Sequence, residues 1–188
     1  MNTSTLNPPS ERYAEANAPL TAVLDEVAAD AWNRPSPCEG WTARDVVRHL
    51  IETQRDFLGS RGFDPGSAAD IDADPAAAWR AHSSAVTALL ARPEVPATGY
   101  GGYFGPTTVG ETLVHFYLPD MVVHRWDIAA AVDGDTRLSE AELDRTAESI
   151  ASWGDVMYTD GICKAGLEPP AGASRQVVLL ARMGRKAW

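Results

Sequence analysis

Three residues stand out for the chemistry their types and spacing allow: His49, and far downstream the pair Asp120 and His124 in Tyr117-Leu118-Pro119-Asp120-Met121-Val122-Val123-His124. Side chains four apart on a helix lie on one face, one turn above the other. On a helical wheel Asp120 and His124 fall in the stripe that also holds Leu113, Tyr117, Ile128 and Ala131, which should face the core. A carboxylate there needs a cation or several donors. Two imidazoles and one carboxylate can hold a divalent metal and leave positions open for water or substrate. The wheel alone also allows a core polar pair satisfied by hydrogen bonds. Asp127, one turn beyond His124, is read either as a structural hydrogen-bonding group or as an acceptor that orients an imidazole.

The other histidines are weaker candidates. His115 points to the opposite face of its helix, toward solvent, and His82 sits beside Ser83 and Ser84 on a side read as polar. The Gly-Tyr-rich stretch Gly99–Gly105 lacks the third glycine of a dinucleotide fingerprint and follows no strand, so it is read as a flexible loop. Trp32, Trp41, Trp79 and Trp126 read as core or interface anchors. The paired Glu-x-x-His of di-iron bundles is absent, which favours one metal over two.

The elements that must position these side chains are helical. A first amphipathic segment runs from about Glu11 to Trp32. Thr42 with Asp45 forms a capping box opening a second helix, with His49 at the edge of its apolar stripe. A third helix spans about Pro75 to Arg92. Thr108 with Glu111 opens a long helix to about Val132, stopped by Gly134, and Ser139 with Glu142 opens a fifth that Gly154 ends. The segment Tyr158–Ala173 is read as irregular, and Arg175–Met183 as a short helix or strand. These periods predict an all-α, up-and-down four-helix bundle with additional short helices and an irregular C-terminal tail. One domain is expected over 1–188, the bundle at about 11–154 and the tail at 155–188.

Composition narrows the partners. The chain has 188 residues, 45% of them hydrophobic, and a formal charge of −10, which disfavours nucleic acid and anionic membrane surfaces. No apolar stretch approaches the roughly 20 residues of a membrane span, and the polar first ten residues do not read as a secretory signal. The two cysteines, Cys38 and Cys163, do not make a disulfide framework, so a reduced cytoplasmic protein is expected. An acidic substrate would have to meet a local cation such as Arg48, Arg125 or the metal.

Two longer stretches carry a resemblance. Pro35-Ser36-Pro37-Cys38-Glu39-Gly40-Trp41-Thr42, continuing to His49 and Leu50, resembles one signature of the actinobacterial proteins grouped with mycothiol-dependent maleylpyruvate isomerase. Val122-Val123-His124-Arg125-Trp126-Asp127-Ile128-Ala129 resembles the second, and Ala173 to Arg185 is similar to the close of their short, single-domain branch. The resemblance implies a DinB-like bundle in which His, Glu and His hold one divalent metal, positions that map onto His49, Asp120 and His124. It implies zinc first, with nickel and iron as alternatives, and mycothiol as the thiol cosubstrate, bound as thiolate. The implied activity is thiol transfer or isomerisation on a small electrophile, by a monomer or homodimer. A metal-binding stress-response module without turnover and a metal-assisted hydrolase are the rival readings. The chain departs from the family pattern at Asp120, where Glu is commoner, at Pro119 inside the helix, and at Arg125, where Gly is usual. The isomerase also carries a second domain that the segment after Gly154 is too short to supply, so maleylpyruvate isomerisation itself is not expected, and the sequence does not name the electrophile.

Overall fold

In the computed structural model, which describes residues 7–158 and 165–188, helices form wherever a local start signal precedes an apolar period. Helix α1 (Pro9–Glu26) starts on Pro9 and ends before the predicted limit, since residues 29–33 form turns. Helix α2 (Ala43–Ser60) carries the full Thr42–Asp45 capping box. Helix α3 (Pro75–Leu90) is capped by the Asp74 carboxylate, which accepts from Ala77 N–H, with Pro75 opening its first turn. A short α4 (Glu94–Ala97) leads into strands β1 (Gly99–Gly102) and β2 (Gly105–Thr108), paired antiparallel from Gly99↔Thr108 to Gly102↔Gly105. The stretch expected to be a flexible loop is thus a hairpin turning at Tyr103-Phe104.

Thr108 and Glu111 cap α5 (Val109–Thr112), which runs through a π-helical segment, Leu113–Tyr117, into α6 (Leu118–Ala131). The widened turn has a local cause. Pro119 has no N–H to donate one turn back, and its ring would strike the carbonyl there. The turn therefore opens, and the Leu118 N–H bonds to the Leu113 carbonyl, five residues earlier. Helix α7 (Glu140–Trp153) has the Ser139–Glu142 box and stops at Gly154, whose φ of 54° suits glycine. Residues 175–182 form helix α8, Arg175–Arg182, settling the choice between helix and strand. Cys163 lies outside the described residues.

Helices α1 and α2 both pack against α3 and α6, so the four enclose one core, while α7 packs on α6 and α8 on α7. Tyr13, Leu20, Leu50, Trp79 and Leu118 are fully buried in the first cluster. Val122, Val123 and Trp126 of α6 meet Leu143, Ile150, Leu179 and Leu180 in the second. Gly110 is where α5 meets the start of α1 and α4. A Cβ there would lie 2.9 Å from Pro96 Cβ and 3.0 Å from Pro9 Cγ. No helix among the described residues is long and apolar enough to cross a membrane.

One polar group in the core overturns an expectation. His82 is buried, because it shares the α3 stripe with Trp79 and Val86. Its Nε2 lies 3.0 Å from Gln54 Oε1, which also accepts from the Tyr13 hydroxyl at 2.9 Å, so Nε2 carries the proton and Nδ1 has no partner among the described residues. Burial, seconded by the charge of Arg55, pushes the His82 pKa down to about 4. The unfolded chain would take up this proton near pH ~6.5, the native chain only near 4. Stability from this group is therefore complete above the higher value and lost as the pH falls toward the lower. The expected slope is positive between those limits and sums to about 3 kcal/mol. Urea unfolding across this range should show that slope in the native sequence and a flatter one in His82→Asn. Equal slopes would contradict it.

Candidate metal centre

Helices α2 and α6 bring His49, Asp120 and His124 together, with one donor atom from each within 4.8 Å of the others. Asp120 faces both rings: Oδ2 is 3.6 Å from His49 Nε2 and Oδ1 is 3.3 Å from His124 Nε2. The two rings meet edge to face at 5.0 Å. His49 and Asp120 are about one-third exposed and His124 is buried, so the cluster opens to solvent on the side of the first two. Both separations exceed the usual hydrogen-bond range. Two imidazole nitrogens and a carboxylate oxygen gathered this closely are donors of the kind that hold a divalent ion.

The far side of His124 fixes how its ring is used. Nδ1 lies 2.9 Å from Asp127 Oδ2, so Nδ1 donates and Nε2 is the atom turned toward Asp120. Asp127 is fully buried and also takes Arg185 Nη2 at 2.9 Å, Arg185 Nε at 3.3 Å and the Cys38 thiol at 3.2 Å. Burial alone would raise the Asp127 pKa, but the bond to His124 and the charge of Arg185 bring it down to about 2. Burial likewise opposes ionisation of Asp120, and the His124 and His49 charges outweigh it and hold its carboxyl far below the ordinary range. His124 moves the other way: burial disfavours its cation, yet Asp120 and Asp127 raise it well above the usual value.

A second cluster, Cys38, His124 and Asp127, is equally compact. Its spacings are those of hydrogen bonds, and the Arg185 guanidinium, 3.4 Å from Cys38 Sγ, already supplies the positive charge a metal would bring. The first cluster is therefore the better place for a cation.

The loop before α2 covers the site. It is pinned by Ala43 N–H to Arg34 O and Arg44 N–H to Trp32 O, both 3.0 Å, and by a bridge between Pro35 and Thr42. This sets the Trp41 ring 5.0 Å from His49 and 6.3 Å from His124, so Trp41 shields imidazoles as well as packing. The roles of Cys38 and Arg185 were not read from the sequence. Both stood in recognised segments, but their meeting at Asp127 spans 89 and 58 residues, and no local signal announces such a contact.

His115 is exposed, away from the cluster. The two arginines expected to meet an acidic substrate are engaged elsewhere. Arg125 is buried against Glu142, at 2.7 and 3.1 Å, and donates to the Arg137 carbonyl. Arg48 pairs with Asp72 at 2.7 Å.

A bundle with two histidines and a carboxylate on facing helices defines the class of this chain, and comparison with known sequences gives the family. Residues 13–129 match the mycothiol maleylpyruvate isomerase N-terminal domain, and the chain belongs to that family of all-α, DinB-like proteins. Similar relatives include uncharacterized proteins of Mycobacterium tuberculosis, from strains CDC 1551 / Oshkosh and ATCC 25618 / H37Rv. Each is 27% identical over 148 residues, covering 76% of this chain and 78% of the relative. No solved structure matches the chain significantly.

Proposed function

We propose that this protein is a divalent-metal-dependent, mycothiol-using thiol transferase or isomerase acting on a small electrophile in the cytoplasm, with residues 1–188 working as one domain. His49, Asp120 and His124 would hold the metal, zinc in the first instance. The observation that carries the reading is the convergence of two imidazoles and one carboxylate from facing helices, with one donor atom from each within 4.8 Å of the others, a donor set that suits one divalent ion with positions left open. A divalent cation bound there supplies Lewis acidity and favours the thiolate form of a nearby thiol at neutral pH.

The chain's own groups prepare that chemistry. Asp127 takes the Nδ1 proton of His124 and so presents the Nε2 lone pair to the site. Arg185 and Cys38 hold Asp127 from behind and fix the orientation of that ring. Two neutral imidazoles and one carboxylate leave a divalent cation with a net positive charge, which welcomes an anionic sulfur. Trp41 keeps water from one side of the rings. The unengaged edge of His49 and Asp120 is where the thiol enters.

Titration of mycothiol into the zinc-loaded protein, repeated in buffers of different ionisation enthalpy, tests this. A free thiol with a pKa of ~8.5 is mostly protonated at pH 7, so binding should release close to one proton per site. Metal-free protein should release none. Absence of binding at millimolar mycothiol would overturn the thiol reading, and thiol-independent ester or amide hydrolysis would favour the hydrolase.

A further inference from the structure

Beneath the hairpin lies a cavity of about 600 Å³, within the size range of small-molecule sites. Its walls come from β1 and β2, the C-terminal end of α2, the π-helical turn and the end of α7. They are mainly aromatic: Tyr100, Phe104, Phe116, Tyr117 and Trp153 all face it. Phe104, Phe116 and Trp153 form a ladder, with centroids 6.1 and 5.7 Å apart and planes within 16° of parallel. Tyr103 and Phe104 at the hairpin tip are 78% and 57% exposed, and Phe116 is 38% exposed. Large apolar side chains left open around one mouth mark a surface meant to be covered.

One cation sits in this aromatic box. The Arg61 guanidinium lies 3.9 Å from the Tyr100 ring centre and 5.5 Å from that of Phe57. Its side-chain hydrogen bond runs from Nη1 to Ser60 Oγ at 3.3 Å, and no carboxylate among the described residues pairs with it. Arg61 Nε and Trp153 Nε1, both on residues that line the cavity, are buried donors with no partner among the described residues. Two such orphans bordering one cavity are uncommon in a folded chain. In a protein of formal charge −10, an unpaired arginine among aromatic rings is a local preference for an anion.

We infer that this cavity binds a flat, apolar anion, its ring system held against the aromatic walls and its carboxylate on Arg61. Position links it to the candidate metal centre. Tyr117 lines the cavity one turn before Asp120, and its hydroxyl donates to the carbonyl of Thr53, one turn after His49, at 3.4 Å. The cavity thus begins about 6 Å along the helices from the candidate ligands. Its use as the seat of the electrophile rests on the thiol-transfer reading, whereas anion binding itself does not. On that reading the preferred electrophile is an aromatic or conjugated acid, with Arg61 in the role that Arg48 and Arg125 cannot fill.

The probes are 2-naphthoate and its neutral isostere 2-naphthamide, titrated into the wild-type protein by calorimetry. The acid should bind at least about tenfold more tightly than the amide, because a charge-assisted bond to guanidinium is roughly twice as strong as a neutral one. Arg61→Gln should bring the two to within about twofold, mainly by weakening the acid. Chelation of the metal should leave acid binding in place. Equal affinities in the wild-type protein, or no binding of either probe at millimolar concentration, would overturn the inference while leaving the metal centre untouched. Failure of mycothiol to bind, with the naphthoate preference intact, would remove the thiol reading and leave this pocket standing.

Discussion

Alanine at either His49 or His124 should lower the affinity for zinc by more than about 100-fold. Removing a group that merely supports a ligand costs roughly 10–100-fold, and removing the ligand itself must cost more. Asp120→Asn keeps the shape but loses the charge that offsets the cation, so it should weaken binding by at least about tenfold. If Asp120 were only a polar group paired with its neighbours, the amide would leave metal content unchanged. His115→Ala, on the exposed side of the π-helical turn, is the control and should bind as wild type. Competition against a chromophoric chelator gives these numbers directly. Unchanged stoichiometry and affinity in both histidine variants would remove the assignment.

The second large effect is on stability. Arg125 is not a surface charge: its side chain is 6% exposed and that of Glu142 is 9%. Arg125→Ala leaves the Glu142 carboxylate buried without its cation, which should cost about 3–5 kcal/mol. For a chain of this size that lowers the melting temperature by roughly 10 °C. Arg125→Ala combined with Glu142→Gln should recover part of the loss. A glutamine still accepts from the Ser139 N–H, the bond Glu142 now makes at 2.8 Å, and carries no charge to strand. Urea unfolding of the single and double variants measures both. A loss below about 1 kcal/mol in Arg125→Ala would show the pair to be energetically neutral.

What the sequence reveals here is mostly what is local. The three capping boxes at Thr42, Thr108 and Ser139 each close within four residues, and all three are made. The spacing of Asp120 and His124 puts them on one helix face whatever the tertiary fold, and His49 joins them because α2 packs on α6. Pro119 carries its own consequence, the opened turn just before it. The hairpin was missed because its turn, Tyr103-Phe104, lacks the Asn-Gly or Asp-Gly that marks two-residue turns. Burial of His82 was legible in principle, since Trp79, His82 and Val86 follow helical spacing, but the neighbouring serines pointed the other way. The Arg125–Glu142 pair and the meeting of Cys38 and Arg185 at Asp127 could not be read at all. Each depends on how separate segments of the chain pack against one another, which no local pattern of residues announces.

Zinc K-edge X-ray absorption on the zinc-loaded protein, before and after mycothiol, tests the central claim most directly. The site proposed here predicts two imidazole nitrogens and carboxylate or water oxygen at about 2.0–2.1 Å, with no sulfur in the thiol-free sample. Mycothiol should then add one sulfur at about 2.3 Å. Sulfur at that distance before any thiol is added would place a cysteine thiolate of the chain on the metal. That result, or the lack of imidazole scattering altogether, would contradict a centre built from His49, Asp120 and His124.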